Sequence, residues 1–217
     1  MSTSRKEGPD FYQQYLQQWS GKPDPNTPVS ELRFVVLDTE TTGLHVQKDR
    51  LLSIGALRVS GNKIHVADRM ECLVHQSYTP TGKATAIHGI LPADRPDSLH
   101  EATALRDLLA FVGTDIVVGH HIAFDRRILE KGYQALIPGF RWQNHFLDTQ
   151  HLARRVFSSG PYQPQPTWSL DQLGEKLGVP VHQRHTAGGD AFVTALILLK
   201  LLARLVDRGV TTRRRLL

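Results

Sequence analysis

The chain has 217 residues, 40% of them hydrophobic and 22% charged, which suffices for one domain with a true core and excludes a wholly disordered chain. Lys and Arg total 26 against 21 Asp and Glu, and the formal net charge of +5 suits a polyanionic partner without requiring one. The single cysteine, Cys72, excludes an intrachain disulfide and argues against a Cys-based zinc site.

In chain order, the first nineteen residues, MSTSRKEGPDFYQQYLQQW, lack the apolar core of a signal peptide. Within them, Asp10–Trp19 places Phe11, Tyr15 and Trp19 four apart, on one face of a short helix. GKPDPNTP follows, with three prolines in eight residues. Residues 1–30 therefore read as an N-terminal helix and Pro-rich arm, expected to fold back onto its own domain. Arg33–Asp38, Leu51–Val59 and Lys63–Val74 read as strands, the last two joined by a Gly61-Asn62 hairpin turn. Ser98–Val112 is an amphipathic helix, and Asp115–Gly119 a short buried strand. Ala123–Ala135 is helical, Phe146–Leu147 a last short strand, and Asp148–Val156, Ser169–Leu177 and Gly189–Asp207 further helices. Three strands followed by alternating helix and strand predict an α/β fold with a mixed sheet over residues 31–207. The run Ala195–Val206 is too short to span a bilayer and carries Lys200 and Arg204, so no membrane partner and a cytoplasmic location are expected. The basic tail, residues 208–217, is expected to fray.

Three stretches carry chemistry. In VVLDTETTGL, an apolar strand turns acidic at Asp38 and Glu40. Positions i and i+2 of a strand share a face, so the two carboxylates would stand side by side. At ~4 Å and an effective dielectric of 20 they would repel by roughly 4 kcal/mol. In VVGHHIAFDRRIL, Asp125 opens a helix just after a buried strand; in QRHTAGGDAFV, His185 lies in a loop and Asp190 in the first turn of the C-terminal helix. Taken singly, the first pair reads as solvated strand-end acids, Asp125 and Asp190 as helix N-terminal acids, and His185 as a surface histidine. Ligands in open α/β sheets gather at the carboxyl ends of strands, near which Asp38, Glu40 and Asp125 fall. Four carboxylates converging there need cations to stay ionised together. Two hard divalent ions, Mg²⁺ or Mn²⁺, suit such ligands, and a pair of them serves in-line displacement at phosphorus. A histidine, with an unperturbed pKa of about 6.5, is suited to take the proton of the attacking water.

DTETTGL, GHHIAFD and HTAGGD, in this order, resemble the three motifs of the DEDDh exonucleases, the family that includes the epsilon proofreading subunit of bacterial DNA polymerase III. The resemblance runs from about Arg33 to Asp207. It implies a ribonuclease H-like fold and 3′→5′ exonuclease activity. Asp38, Glu40, Asp125 and Asp190 would hold two metals, and His185 would be the general base. The resemblance also places Thr42, Gly43 and Leu44 beside the terminal nucleotide and Phe124 near the penultimate one. Ile87–Ile90, with His88, resembles a segment near the substrate cleft. Relatives commonly have an amide where this chain has His121.

The implied substrate is a single-stranded nucleic acid 3′ end. DNA is favoured because the DTETTGL form resembles the epsilon type, with a DNA polymerase or repair complex as partner. An exoribonuclease trimming RNA 3′ ends is the alternative within the family, and an interaction module docking through the N-terminal arm the alternative outside it. Other hydrolytic motifs are missing: His100-Glu101 lacks the second histidine of a zinc protease, and there is no phosphate-binding P-loop.

Overall fold

The computed structural model of the chain describes residues 9–76, 97–157, 166–182 and 184–217. A five-stranded mixed sheet runs in the order β3-β2-β1-β4-β5: β1 (Arg33–Thr41), β2 (Leu51–Ser60), β3 (Lys63–Leu73), β4 (Ile116–Gly119) and β5 (Phe146–Asp148). β1, β2 and β3 form an antiparallel meander, and β4 and β5 run parallel to β1. The β2–β3 turn sits on Gly61 and Asn62, both with positive φ (54° and 60°), the backbone that a two-residue hairpin matching strand twist requires.

Both faces of the sheet are covered, which is why β1 is a near-continuous apolar run. Phe34 and Val36 point into one core, built with α4 (Thr149–Phe157), α5 (Leu170–Leu177) and α6 (Ala187–Asp207). Val35 and Leu37 point into the other, built with α1 (Asp10–Gln17), α2 (Glu101–Val112) and α3 (Ala123–Leu136). α5 is fixed at both ends. A Ser169–Gln172 capping box starts it, and Gly178, in the left-handed region at φ 63°, stops it. Among the described residues, no helix is long and apolar enough to cross a membrane.

The N-terminal helix is part of the second core. Tyr12 and Tyr15 are buried. The Tyr15 hydroxyl donates to Asn144 Oδ1 at 2.6 Å and accepts from the Gln143 N–H at 2.6 Å. Burial pushes the Tyr15 phenol up to about 12. The tail, expected to fray, is instead ordered. Arg213–Leu216 forms a helical turn, α7, with Leu216 fully buried in the first core. Its backbone meets the arm: the Arg213 and Arg214 N–H groups donate to the carbonyls of Thr27 and Pro25, both at 2.8 Å. Arg155 donates to the carbonyls of Leu216 and Arg215 at 2.5 and 2.6 Å. Three consecutive arginines masked one buried leucine and a strand-like pairing with a distant segment.

Candidate active site

β1 stays regular through Glu40, so Asp38 and Glu40 do share a face, two residues beyond Val36 and on the α6 side of the sheet. The register shifts at Glu40/Thr41, where the strand leaves the sheet. Asp38 lies opposite Gly55 of β2. A side chain at Gly55 would put a Cβ 2.2–2.4 Å from the backbone of Ala187 and Gly188, so only glycine lets the start of α6 lie against the strand here. That contact carries Asp190, three residues into α6, to the acids of β1. The Thr186 hydroxyl caps the helix by accepting from the Gly189 N–H at 3.1 Å. Carboxylate oxygens of Asp38, Glu40 and Asp190 lie within 4.8 Å of one another.

Asp125 approaches these acids from the opposite face of the sheet. β4 ends at Gly119, and α3 begins at Ala123, which sets Asp125 in its first turn, buried. Its Oδ1 accepts from the Thr39 N–H at 3.0 Å and from the Thr39 hydroxyl at 2.6 Å. Thr39 lies between the two β1 acids but points to the α3 side, so one threonine ties the second stretch to the first. Asp125 is outside the set of three whose oxygens lie within 4.8 Å, yet its charge is felt by both Asp38 and Glu40.

The electrostatics follow. Burial, then repulsion from Asp125, Asp190 and Glu40, raises the Asp38 carboxyl well above the usual range. Burial and repulsion from Asp190 and Asp125 push Glu40 up to about 7. Burial raises Asp125 to about 7 against the opposing hydrogen bonds from Thr39. Arg184 lowers Asp38 and Glu40 from the other direction. It donates from Nη1 to Asp190 Oδ1 and from Nε to Asp171 Oδ1, the latter at 2.7 Å. A nest of hard oxygen donors whose joint ionisation is disfavoured by its surroundings fits a divalent cation, and the residues present suit one.

His185 stands in the loop before α6, exposed, with its backbone in the left-handed region at φ 66°. It lines a cleft with Ser53, Glu71, Cys72, Leu73 and Leu99. Ser53 is the register partner of Glu40, so the cleft opens one strand away from the acids. Beyond β1, Thr42 and Gly43 are half-buried in a loop organised by Asp49. The Asp49 carboxylate accepts from the Thr42 hydroxyl at 2.9 Å and the His45 N–H at 2.6 Å. Lys131 of α3 anchors the loop by donating to the carbonyls of Val46 and Asp49 at 2.9 and 2.7 Å. Held this way, Leu44 projects into solvent, 83% exposed. Phe124 is half-buried beside Asp125 at the start of α3. His88 lies outside the described residues.

Sequence reasoning missed Thr39, Arg184 and Gly55. The position of Thr39 between two acids was a signal, but its partner is 86 residues away. The doubled histidine also acquires a local account. His121 has φ 58° and donates its N–H to Asp148 Oδ1 at 3.1 Å. Histidine, like asparagine, is among the residues found more often than most at that left-handed position, so the backbone accepts His121 where relatives have an amide. His120 is enclosed: burial pushes it down to about 4, and its ring bonds the Thr149 hydroxyl at 2.8 Å and the Trp168 carbonyl at 3.1 Å.

The exonuclease family model matches residues 35–198. The chain is 33% identical over 172 residues to the DNA polymerase III subunit epsilon of Aquifex aeolicus, covering 79% of this chain and 81% of that one. It is 34% identical over 189 residues to a DNA polymerase III subunit epsilon-like protein of Rhodobacter capsulatus, covering 86% of this chain and 26% of that one. Against the PolC-type DNA polymerase III of Thermotoga maritima it is 33% identical over 178 residues, covering 82% of this chain but spanning only 12% of that one. Among solved structures, the zinc-bound E. coli ExoI–ssDNA complex superposes with a TM-score of 0.69 at 21% identity, covering 82% of this chain and 42% of that one. That likeness concerns the fold, α/β and ribonuclease H-like.

Proposed function

Because the chain belongs to the exonuclease family, we propose that it removes nucleoside 5′-monophosphates from the 3′ ends of single-stranded DNA. The observation that carries the reading is the meeting of Asp38, Glu40 and Asp190 at the end of β1, with Asp125 brought in by Thr39 from the other face. A pair of divalent cations, Mg²⁺ or Mn²⁺, would supply the charge that activates water and steadies the leaving oxygen. Asp38, Glu40, Asp125 and Asp190 are the residues that would hold them.

The remaining steps belong to side chains of this chain. His185 takes the proton of the attacking water. The bond broken joins the terminal phosphorus to the 3′ oxygen of the preceding nucleotide, which leaves as a new 3′-hydroxyl. Thr42 and Gly43, held by Asp49, present backbone to the terminal sugar. Leu44 receives the terminal base; its exposure supports this role, since an apolar side chain 83% open to solvent is available for van der Waals contact with a base. Phe124 meets the next base. The catalytic unit is residues 31–207, flanked by the helix and arm of residues 1–30 and the basic tail of residues 208–217. The relatives' names support a DNA polymerase complex as the setting. Matched DNA and RNA oligonucleotides, incubated with Mg²⁺ or Mn²⁺, test the substrate. Faster loss of DNA is expected, and preferential loss of RNA would replace the DNA reading with the exoribonuclease one.

A further inference from the structure

Arg184 is the one cation paired with the acidic nest among the described residues, and it is held from two sides. Its Nε rests on Asp171 in the first turn of α5; its Nη1 rests on Asp190 in the first turn of α6. The side chain is only 20% exposed, so the guanidinium lies against the protein rather than in solvent. Its charge reaches beyond Asp190, lowering Asp38 and Glu40 as well. The fork of the guanidinium suits this bridging: one edge on each carboxylate, five donors in a fixed plane.

We propose that Arg184 is a displaceable internal counter-cation that competes with the divalent cation for Asp190, so that metal loading and release of Arg184 are one equilibrium. This rests on the reading of Asp190 as a metal ligand. A carboxylate oxygen committed to a guanidinium is not free to bind a cation, and a guanidinium beside the nest repels one. Asp171 is the post that keeps Arg184 nearby after Asp190 is given up, because the Nε contact does not involve the nest. The chain thus keeps four acids folded together without metal, at the cost of weaker metal binding.

Mn²⁺ affinity, measured by calorimetry on the full chain without substrate, tests the proposal. Arg184→Gln is expected to bind Mn²⁺ about tenfold more tightly than the wild type and to melt at a lower temperature in EDTA. Arg184→Lys, which keeps the charge, is expected to stay within about threefold of the wild type. Wild-type guanidinium NMR gives a second readout that needs no variant: Mg²⁺ should shift the Arg184 Nη signals while the Nε signal, held by Asp171, stays. Unchanged or weaker Mn²⁺ binding by Arg184→Gln would overturn the proposal, as would equal tightening by the Gln and Lys variants, or Arg184 signals that ignore Mg²⁺. Mn²⁺ binding with the expected order but without nuclease activity would leave the counter-cation standing and remove the exonuclease reading. A wild type that binds no Mn²⁺ would remove both.

Discussion

Thr39 grips Asp125 twice, with its backbone N–H at 3.0 Å and its hydroxyl at 2.6 Å, both on the same carboxylate oxygen. The grip crosses the sheet and joins the β1 acids to α3. Thr39→Val keeps the β-branched shape and deletes one donor to a buried carboxylate. A loss of about 1–3 kcal/mol is expected in urea denaturation at pH 8 in EDTA. A loss of activity should accompany it even with saturating Mg²⁺, because Asp125 is no longer aimed. Wild-type stability in Thr39→Val would show that the hydroxyl contributes nothing to holding Asp125.

Stability should depend on pH in a direction opposite to that of a salt-bridged protein. Asp38, Glu40 and Asp125 all have folded-state pKa values above their ordinary ones, with Glu40 and Asp125 at about 7. The folded state therefore holds more protons than the unfolded state between the ordinary carboxylate range and about 7, so stability falls as pH rises through that window. Metal-free protein is expected to melt at a lower temperature at pH 8 than at pH 5.5. Mg²⁺ should raise the melting temperature more at pH 8, where the carboxylates it neutralises are ionised. A melting temperature in EDTA that rises steadily from pH 5.5 to pH 8 would contradict the strained nest.

Gly55 is where the long helix is allowed close. Gly55→Ala would set a Cβ 2.2–2.4 Å from the Ala187 and Gly188 backbone, which no rotamer change relieves. Overpacking of this kind costs about 1–3 kcal/mol. The start of α6 must shift, and Asp190 with it. A misplacement of ~1 Å in such a constellation costs on the order of 10²-fold in rate. Circular dichroism melts and kcat together check this, and a variant with wild-type values for both would show that the close approach is not needed.

Much of this was legible in the sequence, because it was local. Short apolar runs placed the strands, period-3.6 runs the helices, and the Gly61-Asn62 turn paired β2 with β3. The acids of the three stretches were visible as types in an order. What escaped was non-local. Gly55 reads as an ordinary strand glycine until α6 is laid over it. Arg184 reads as a loop cation until Asp171 and Asp190 are placed on either side. Leu216 was hidden by the arginines before it, since burial of one side chain leaves no periodic trace in a four-residue turn.

The general-base role proposed for His185 can be tested apart from metal binding. A positioned general base contributes about 10²–10⁴-fold. His185→Ala should lose activity in that range while binding Mn²⁺ as the wild type does, because no carboxylate is touched. His120→Ala should instead register as lost stability, since its ring bonds the Thr149 hydroxyl and the Trp168 carbonyl inside the fold. A pH–rate profile unchanged by His185→Ala would assign the base to another group.

The central claim is that a free 3′ end enters at Thr42-Gly43-Leu44 and is cut one nucleotide at a time beside Asp38, Glu40, Asp125 and Asp190. A single-stranded DNA oligonucleotide labelled at its 5′ end, incubated with Mg²⁺ and followed on a sequencing gel, tests it most directly. The account predicts a ladder shortening from the 3′ side, stopped by a 3′-phosphate and abolished by EDTA or by Asp125→Asn. Cleavage of a closed circular strand, or release of the labelled 5′ nucleotide first, would contradict it.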